Sequence, residues 1–337
     1  MSLSSRALPA LLLTLLVALV LAGCKRGGPR QTLLDPSYKV VMLSARGSRA
    51  YTDAQRQVFS RLVSQNRDWE VEILDAGLSP DTQRQQLEAS IAQKPFAILL
   101  DPLSPASLKT ATAAARDAGI FLIGLGQDSK DLGCDTVLAV DQRHLGWLAG
   151  DLVLRALFAK AQEEGRKEAQ GRVVEIRGDE TGTTSQKRHE GFEAALKAAP
   201  GIILVHDAPG DWTELGGQGR TLDALRLQHP FDVIYAHDDG MASGAASALA
   251  DKRNDVMIIG TDGFRGPKGG LTLVGDGEID ATVYQPHLVD FAWQLLQKKA
   301  ANTAFVPKAD YELKSRTILP KDVDDIRRNG LPPLPEL

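Results

Sequence analysis

Residues 231–249, FDVIYAHDDGMASGAASAL, decide the fold class of this 337-residue chain. The apolar run 232–236, which has β-branched and aromatic members, predicts a short buried strand of a parallel sheet. The polar triplet 237–239, His-Asp-Asp, stands where this strand ends. The small and apolar residues at 241–249 predict a helix that packs closely on the sheet. A strand, a sharp loop and a helix in this order indicate an α/β fold.

The same alternation of strand and helix extends along the chain from Tyr38. Apolar runs predict ten strands, at 40–43, 71–74, 96–100, 120–125, 136–140, 173–176, 202–205, 233–235, 256–259 and 281–284. Helical spacing predicts eight helices, at 51–65, 80–93, 106–118, 145–161, 186–199, 215–227, 240–251 and 288–299. Serine followed by proline, as at Ser79 and Ser104, is a typical helix start. Trp147 and Trp293 lie on apolar helix faces, where we expect them to be core residues.

Ten predicted strands exceed what one sheet usually holds, and the pattern restarts near Asp141. The sequence therefore predicts the α/β class, with two lobes that are each a doubly wound parallel sheet of right-handed βαβ units. In such sheets ligands bind beyond the carboxyl ends of the strands. If the two lobes face each other, their two crevices form one cleft.

The bulk composition is that of a soluble globular protein, with 43% hydrophobic and 24% charged residues. A net charge of −4 without a basic block does not indicate a nucleic-acid-binding surface. The chain has no GxGxxG, P-loop or GxSxG motif, and its six histidines show no metal-ligand spacing. We expect no cofactor and no enzymatic activity, because no pair of side chains is an obvious nucleophile with its base.

The N-terminal 23 residues have the features of a secretory signal. Arg6 precedes an apolar stretch at 7–22, and the sequence Leu-Ala-Gly-Cys then ends at Cys24. This ending resembles the bacterial lipobox, in which the cysteine is lipidated and becomes the first residue. An uncleaved membrane anchor is the alternative. We therefore expect 1–23 to be removed, Cys24 to carry lipid and 24–36 to form a flexible tether.

Polar and aromatic side chains follow five predicted strands in the second half of the chain. They are Arg188, Trp212, Asp238, Asp262 and Gln285. An arginine fork, two carboxylates and an amide suit a polyhydroxylated solute, because sugar hydroxyls both donate and accept hydrogen bonds. An indole ring suits the apolar face of a pyranose.

Each of these residues also has a structural alternative. Arg188 could pair with Glu190 or Glu193 at the surface. Trp212 could be a core residue, and Gln285 could belong to an ordinary turn.

A metal site is a further alternative at the ends of these strands. Asp238, Asp239 and Asp262 could together bind Mg²⁺, since clustered carboxylates are ligands for hard cations. We expect Asp239 to be a helix cap rather than a ligand contact.

Four stretches of the second half resemble the periplasmic sugar-binding proteins of the ribose/galactose type, the solute receptors of ABC importers. They are TSQKRHEGFEAAL, VIYAHDDGMASGA, VMIIGTDGF and GEIDATVYQP. Tyr235, Ala236 and His237 are also similar to the galactofuranose-binding branch. The resemblance covers roughly residues 38–320.

The resemblance implies a set of sugar contacts and a division into lobes. The implied contacts are Arg188, Trp212, Asp238, Asp262 and Gln285. The first lobe would comprise 37–140 plus 286–313, and the second 141–285 plus 314–330. Three crossings would join the lobes, and hinge closure would trap the solute. The solute would favour the closed form only through its higher affinity for that form.

The first lobe departs from the family pattern. Ser48 and Tyr51 lie in the region where the family often has an asparagine and a pair of aromatic residues after the first strand. Gly126 and Gln127 replace its Asp-Arg pair after the fourth strand, with Asp128 adjacent. Ser48, Tyr51, Gln127 and Asp128 are therefore weaker candidates for ligand contacts.

These patterns together predict a monomeric, lipid-anchored receptor in the periplasm or cell envelope that captures a sugar-like solute and delivers it to an ABC permease. Asp238 stands where the family usually has asparagine, and Arg46 or Arg49 would accommodate an acidic or phosphorylated sugar. Two alternatives stay open. One is a sensor of the same fold that signals to a membrane kinase or chemoreceptor, and the other is a Mg²⁺-dependent enzyme that uses the aspartate cluster.

Overall fold

The strands and helices are taken from a computed structural model that describes residues 37–44, 50–227, 230–331 and 334. The strands are β1 (Tyr38–Ser44), β2 (Trp69–Asp75), β3 (Ala97–Leu100), β4 (Phe121–Leu125), β5 (Thr136–Ala139), β6 (Gly171–Arg177), β7 (Ile202–Pro209), β8 (Val233–Ala236), β9 (Met257–Asp262), β10 (Ala281–Tyr284), β11 (Asp310–Glu312) and β12 (Arg316–Ile318). The α-helices are α1 (Ala50–Ser64), α2 (Pro80–Ala92), α3 (Pro105–Asp117), α4 (Gln142–Glu163), α5 (Thr183–Leu196), α6 (Glu214–Arg226), α7 (Asp239–Leu249), α8 (Gly270–Gly275), α9 (Leu288–Ala301) and α10 (Pro320–Asn329). The predicted signal segment, Cys24 and Ser48 lie outside the described residues.

These strands form two six-stranded sheets. The first has the order β11-β5-β4-β3-β1-β2 and the second the order β12-β10-β9-β8-β6-β7. Neighbouring strands are parallel, except that β12 is antiparallel to β10. The prediction of an α/β fold with two doubly wound parallel sheets is confirmed. The strands change sheet three times, between β5 and β6, between β10 and β11, and between β11 and β12.

Helices cover both faces of each sheet, which explains why the central strands are continuous apolar runs. The residues of β1 at 40–43 are at most 1% exposed, and Phe59 of α1 is fully buried. Helix α9 follows β10 of the second sheet but packs against α1 and β5 of the first. Its Trp293 is buried, as predicted, with its ring 4.9 Å from that of Trp69.

The prediction for Trp147 is wrong, because this side chain is 43% exposed and stacks on His144. Helix α4 approaches α5 through glycine instead. A Cβ atom on Gly146 would lie 1.8 Å from the backbone oxygen of Arg188. The close contact between these two helices therefore leaves no room for a large side chain, and Trp147 lies on the outer face.

The glycine-rich stretch 216–219 lies inside α6 and serves helix packing. A Cβ atom on Gly217 would lie 2.1 Å from the backbone oxygen of Met241 in α7. Glycines are therefore required where α6 and α7 cross. Within the part of the chain that the structure describes, no helix is long and apolar enough to cross a lipid bilayer.

Candidate functional site

A cavity of about 140 Å³ lies between the carboxyl ends of the strands of the two sheets. All five residues predicted from the second half of the chain line it: Arg188, Trp212, Asp238, Asp262 and Gln285. Three of the weaker candidates, Tyr51, Gln127 and Asp128, line it from the side of the first sheet. The structure therefore brings together residues that are far apart in the sequence.

Arg188 is only 2% exposed and lies among polar groups of the cavity, so the alternative of a surface ion pair is wrong. Its Nε donates to Gln142 Oε1 at 2.9 Å, and its Nη2 donates to Gln285 Oε1 at 2.5 Å. Its Nη1 donates to the backbone oxygen of His237. Nη2 also lies 3.8 Å from Asp262 Oδ1. Protein groups thus hold the guanidinium from three sides.

Trp212 is held in an unusual backbone conformation beside Arg188. Its φ is +57° and that of Asp211 is +55°, a region that non-glycine residues rarely adopt. Its Nε1 donates to Asp179 Oδ2 at 2.7 Å, and its ring covers Gly178, where a Cβ atom would lie 1.9 Å from Cζ2. The Arg188 guanidinium carbon is 5.4 Å from the centre of the ring. Although the ring is only 8% exposed, it lines the cavity rather than lying only in the core.

The structure gives Asp238 two roles and Asp239 neither of them. Asp238 caps α7 by accepting a hydrogen bond from Met241 N at 2.6 Å, and it also lines the cavity. The expectation that Asp239 is the cap is wrong. The fully buried carboxylate of Asp239 accepts hydrogen bonds of 2.6–2.8 Å from Gly263 N, Gly270 N and Thr282 Oγ1. Burial raises the pKa of Asp239 to about 7.

This arrangement does not support a Mg²⁺ site at the aspartate cluster. Both carboxylate oxygens of Asp239 are occupied by protein donors. Among the described residues, the group with metal-ligand geometry is instead Glu175, His189 and Asp207. None of these three lines the cavity.

Asp262 is the last residue of β9, and Gln285 directly follows the neighbouring strand β10. Asp262 has a φ of +119° and is 3% exposed, and its backbone oxygen accepts from Gln285 N at 2.9 Å. Strained residues of this kind persist only where the surrounding structure holds them. The side chain of Gln285 is directed at Arg188, so it is not an exposed turn amide. Both side chains therefore have fixed positions at the cavity wall.

Helix α1 forms part of the opposite wall. The hydroxyl of Tyr51 donates to the backbone oxygen of Pro286 at 2.6 Å, and Leu288 N donates to Gln55 Oε1 at 2.8 Å. These bonds hold the segment between β10 and α9 against helix α1. Across the cavity, Lys187 of α5 donates to Gln127 Oε1 at 2.9 Å. That bond joins α5, which follows β6 of the second sheet, to the segment that follows β4 of the first.

Several polar residues of the cavity wall are absent from the sequence prediction. They are Thr52, Gln55, Asp101, Gln142, Thr183, Thr184 and Lys187. Asp101 directly follows β3, so the strand-end signal that indicates Asp238 would also have indicated this residue. The others lie in the first two turns of helices, where the sequence does not show which side chain faces a neighbouring sheet.

A family profile described as periplasmic binding protein domain matches residues 40–299. The ribose import binding protein of Bacillus subtilis (strain 168) is 27% identical over 229 residues, which cover 67% of this chain and 70% of that protein. The D-apiose import binding protein of Actinobacillus succinogenes is 25% identical over 267 residues, which cover 79% and 78% of the two chains.

Solved structures share the fold. A galactofuranose binding protein has a TM-score of 0.72 at 22% identity, and the match covers 87% of this chain and 98% of that one. An ABC transporter solute binding protein of Actinobacillus succinogenes with bound D-allose has a TM-score of 0.73 at 22% identity, with coverage of 86% and 99%. The fructose binding periplasmic domain of a hybrid two-component system has a TM-score of 0.70 at 21% identity, with coverage of 86% and 93%.

Proposed function

The chain belongs to the periplasmic binding protein domain family, and we propose from this premise that it is a receptor for a sugar or sugar-like solute of an ABC importer. The ribose and D-apiose import binding proteins among its relatives support a transport role without enzymatic activity. The observation that carries the proposal is the convergence, on one cavity between two sheets, of five side chains that each end or follow a different strand of the second sheet.

The chemistry of the cavity suits a polyhydroxylated ligand. We propose that Arg188, Asp238, Asp262 and Gln285 exchange hydrogen bonds with sugar hydroxyls and that Trp212 packs on the ring face. Tyr51, Gln127 and Asp128 would contact the ligand from the first sheet. Ser48 belongs to the same proposal, although it lies outside the described residues.

Binding would be coupled to closure of two lobes. We propose that the first lobe comprises 37–140 plus 286–313 and the second 141–285 plus 314–330. The bond between Lys187 and Gln127 joins the two sheets across the cavity and would favour the closed form. A solute that contacts both walls stabilises the closed form because it binds that form more tightly.

We propose that the mature protein is a periplasmic monomer, attached to the membrane by lipid on Cys24 after removal of 1–23. The lipobox-like sequence is what supports this anchor. An ABC permease would receive the solute. Mass spectrometry of the protein from its native membrane should show a diacylated or triacylated Cys24 at the N-terminus.

Titration calorimetry tests the binding function with a panel of D-ribose, D-allose, D-arabinose, D-galactose and myo-inositol. We expect saturable heat with at least one of them and a change in tryptophan fluorescence on binding. The Trp212→Phe chain should lose most of this change, and the Trp147→Phe chain, which alters an exposed tryptophan, should keep it. Absence of heat with every sugar would contradict the proposal.

A sensor is the second candidate function. The fructose binding domain of a two-component system has the same fold, which favours this alternative over an enzyme. A gene for a membrane kinase beside that of this protein would support a sensor, whereas a permease gene would support transport.

A further inference from the structure

His237 is a fully buried histidine next to the cavity wall, because it precedes Asp238 in the chain and contacts Arg188. Its Nδ1 accepts a hydrogen bond from Gly178 N at 3.2 Å. Its Nε2 lies 2.9 Å from Glu175 Oε1. Its backbone oxygen accepts from Arg188. The two ring nitrogens and the backbone oxygen of His237 therefore all contact polar groups behind the cavity. Its backbone N–H donates to Ile176 O.

These partners determine the protonation of the ring. A backbone N–H can only donate, so Nδ1 must accept from Gly178 and carries no proton. The proton therefore lies on Nε2 and is donated to Glu175. Burial of Glu175 would by itself raise its pKa, but hydrogen bonds from His189 and His237 outweigh that effect and hold the pKa below its usual value. Burial lowers the pKa of His237, which favours the neutral ring.

The Gly178–Asp179 segment is the platform on which Trp212 lies. The indole ring covers Gly178 so closely that no Cβ atom would fit there. Asp179 accepts from the indole Nε1 at 2.7 Å. The hydrogen bond from Gly178 N to His237 is thus the link between this platform and β8.

We propose that His237 is a positioning residue of the sugar site, and that Glu175 fixes its Nε2–H tautomer so that Nδ1 anchors the platform beneath Trp212 while the backbone oxygen orients Arg188. The inference rests on the proposed function, since it explains how two proposed sugar contacts, Trp212 and Arg188, are held in position relative to each other. His237 itself does not line the cavity, so its effect on a ligand would be indirect.

Two substitutions of His237 distinguish the roles of its two ring nitrogens. The amide oxygen of asparagine lies close to the position of Nδ1 and can accept from Gly178, whereas the amide nitrogen of glutamine lies close to that of Nε2 and can donate only to Glu175. We expect the His237→Asn chain to bind sugar about tenfold more tightly than the His237→Gln chain, the factor that corresponds to one hydrogen bond of about 1.4 kcal/mol. His206→Gln, the same change at a histidine of β7 outside the network, is the control and should leave the affinity unchanged.

The experiment combines calorimetry on the full chain with nitrogen NMR of the histidine rings. The titrants are D-ribose, D-allose, D-arabinose and myo-inositol, and the stability of each variant is measured by urea unfolding. A purely structural role predicts that affinity follows stability. The proposal predicts that the asparagine variant binds more tightly even where it is the less stable of the two, because it removes the hydrogen bond to Glu175 Oε1 and leaves that carboxylate only its bond with His189.

The NMR spectrum of the unsubstituted chain tests the proposal even if a variant does not fold. We expect an Nε2–H signal for His237 at neutral pH, and an Nδ1–H tautomer or a doubly protonated ring would overturn the inference. Equal affinities of the two His237 variants would also overturn it while leaving the proposed function intact. Absence of binding by the unsubstituted chain would refute the proposed function, and the inference with it.

Discussion

Asp238 combines two roles at one side chain, as the cap of α7 and as part of the cavity wall. Asparagine caps helices about as well as aspartate, so Asp238→Asn should change the free energy of unfolding by less than about 0.5 kcal/mol. A neutral amide makes weaker hydrogen bonds than a carboxylate, and we expect sugar affinity to fall about tenfold. Calorimetry and urea unfolding measure the two effects separately.

Asp141→Asn is the matched control for this prediction. Asp141 caps α4 through Arg143 N and His144 N, but it does not line the cavity. Its replacement should leave the affinity for sugar unchanged. An Asp238→Asn chain that binds as tightly as the unsubstituted chain would show that this carboxylate does not contact the ligand.

The sequence predicts the second-sheet side of the cavity well because the carboxyl ends of parallel strands meet at one edge. Asp238 and Asp262 could be chosen on that ground alone, whereas Arg188 lies in the second turn of α5. The pattern could not separate the roles of Asp238 and Asp239. The direction of the first helical turn determines which of the two adjacent carboxylates is buried against the sheet.

At the scale of the helices, the contact between α4 and α5 sets the position of Arg188. Gly146→Ala would place a methyl group 1.8 Å from the backbone oxygen of that residue, so the helices must separate. We expect a loss of about 1–3 kcal/mol in the free energy of unfolding, together with weaker sugar binding because α5 carries both Lys187 and Arg188. Urea unfolding and calorimetry provide the two measurements.

Gly219→Ala is the corresponding control in α6, because a Cβ atom there meets nothing within 4 Å. Alanine favours a helix over glycine by about 1 kcal/mol, so this variant should be equally or more stable. Similar destabilisation of both variants would mean that the loss of stability in Gly146→Ala does not come from the crossing of α4 and α5.

The ten predicted strands correspond to β1–β10, whereas β11, β12, α8 and α10 are absent from the sequence prediction. The strands β11 and β12 have three residues each and lie at the edges of their sheets. Only Tyr311 of β11 is buried, so no apolar run marks that strand. Both strands are formed by hydrogen bonds to a neighbouring strand, and the local sequence does not predict this pairing.

At the scale of the whole molecule, stability should depend on pH through His287, which lies between β10 and α9. Burial and the nearby charge of Arg61 lower its pKa to about 4, and its Nε2 is buried without a partner among the described residues. The native state therefore takes up this proton at lower pH than the unfolded chain does. The contribution of the neutral His287 ring to the free energy of unfolding is complete above pH 6.5. It is lost as the pH falls towards 4, by about 3 kcal/mol in total.

Urea unfolding between pH 7 and 4 measures this dependence. The His287→Leu chain should lose less stability over that range than the unsubstituted chain, whatever its stability at pH 7. His144→Leu replaces an exposed histidine and should leave the slope unchanged. Parallel curves for the unsubstituted and His287→Leu chains would contradict the assignment.

A crystal structure of the chain with the panel sugar that binds most tightly tests the central claim most directly. The account predicts one sugar molecule between the two sheets, with its hydroxyls bonded to Arg188, Asp238, Asp262 and Gln285 and its ring face on Trp212. A sugar bound elsewhere, or one that contacts none of these five side chains, would contradict it.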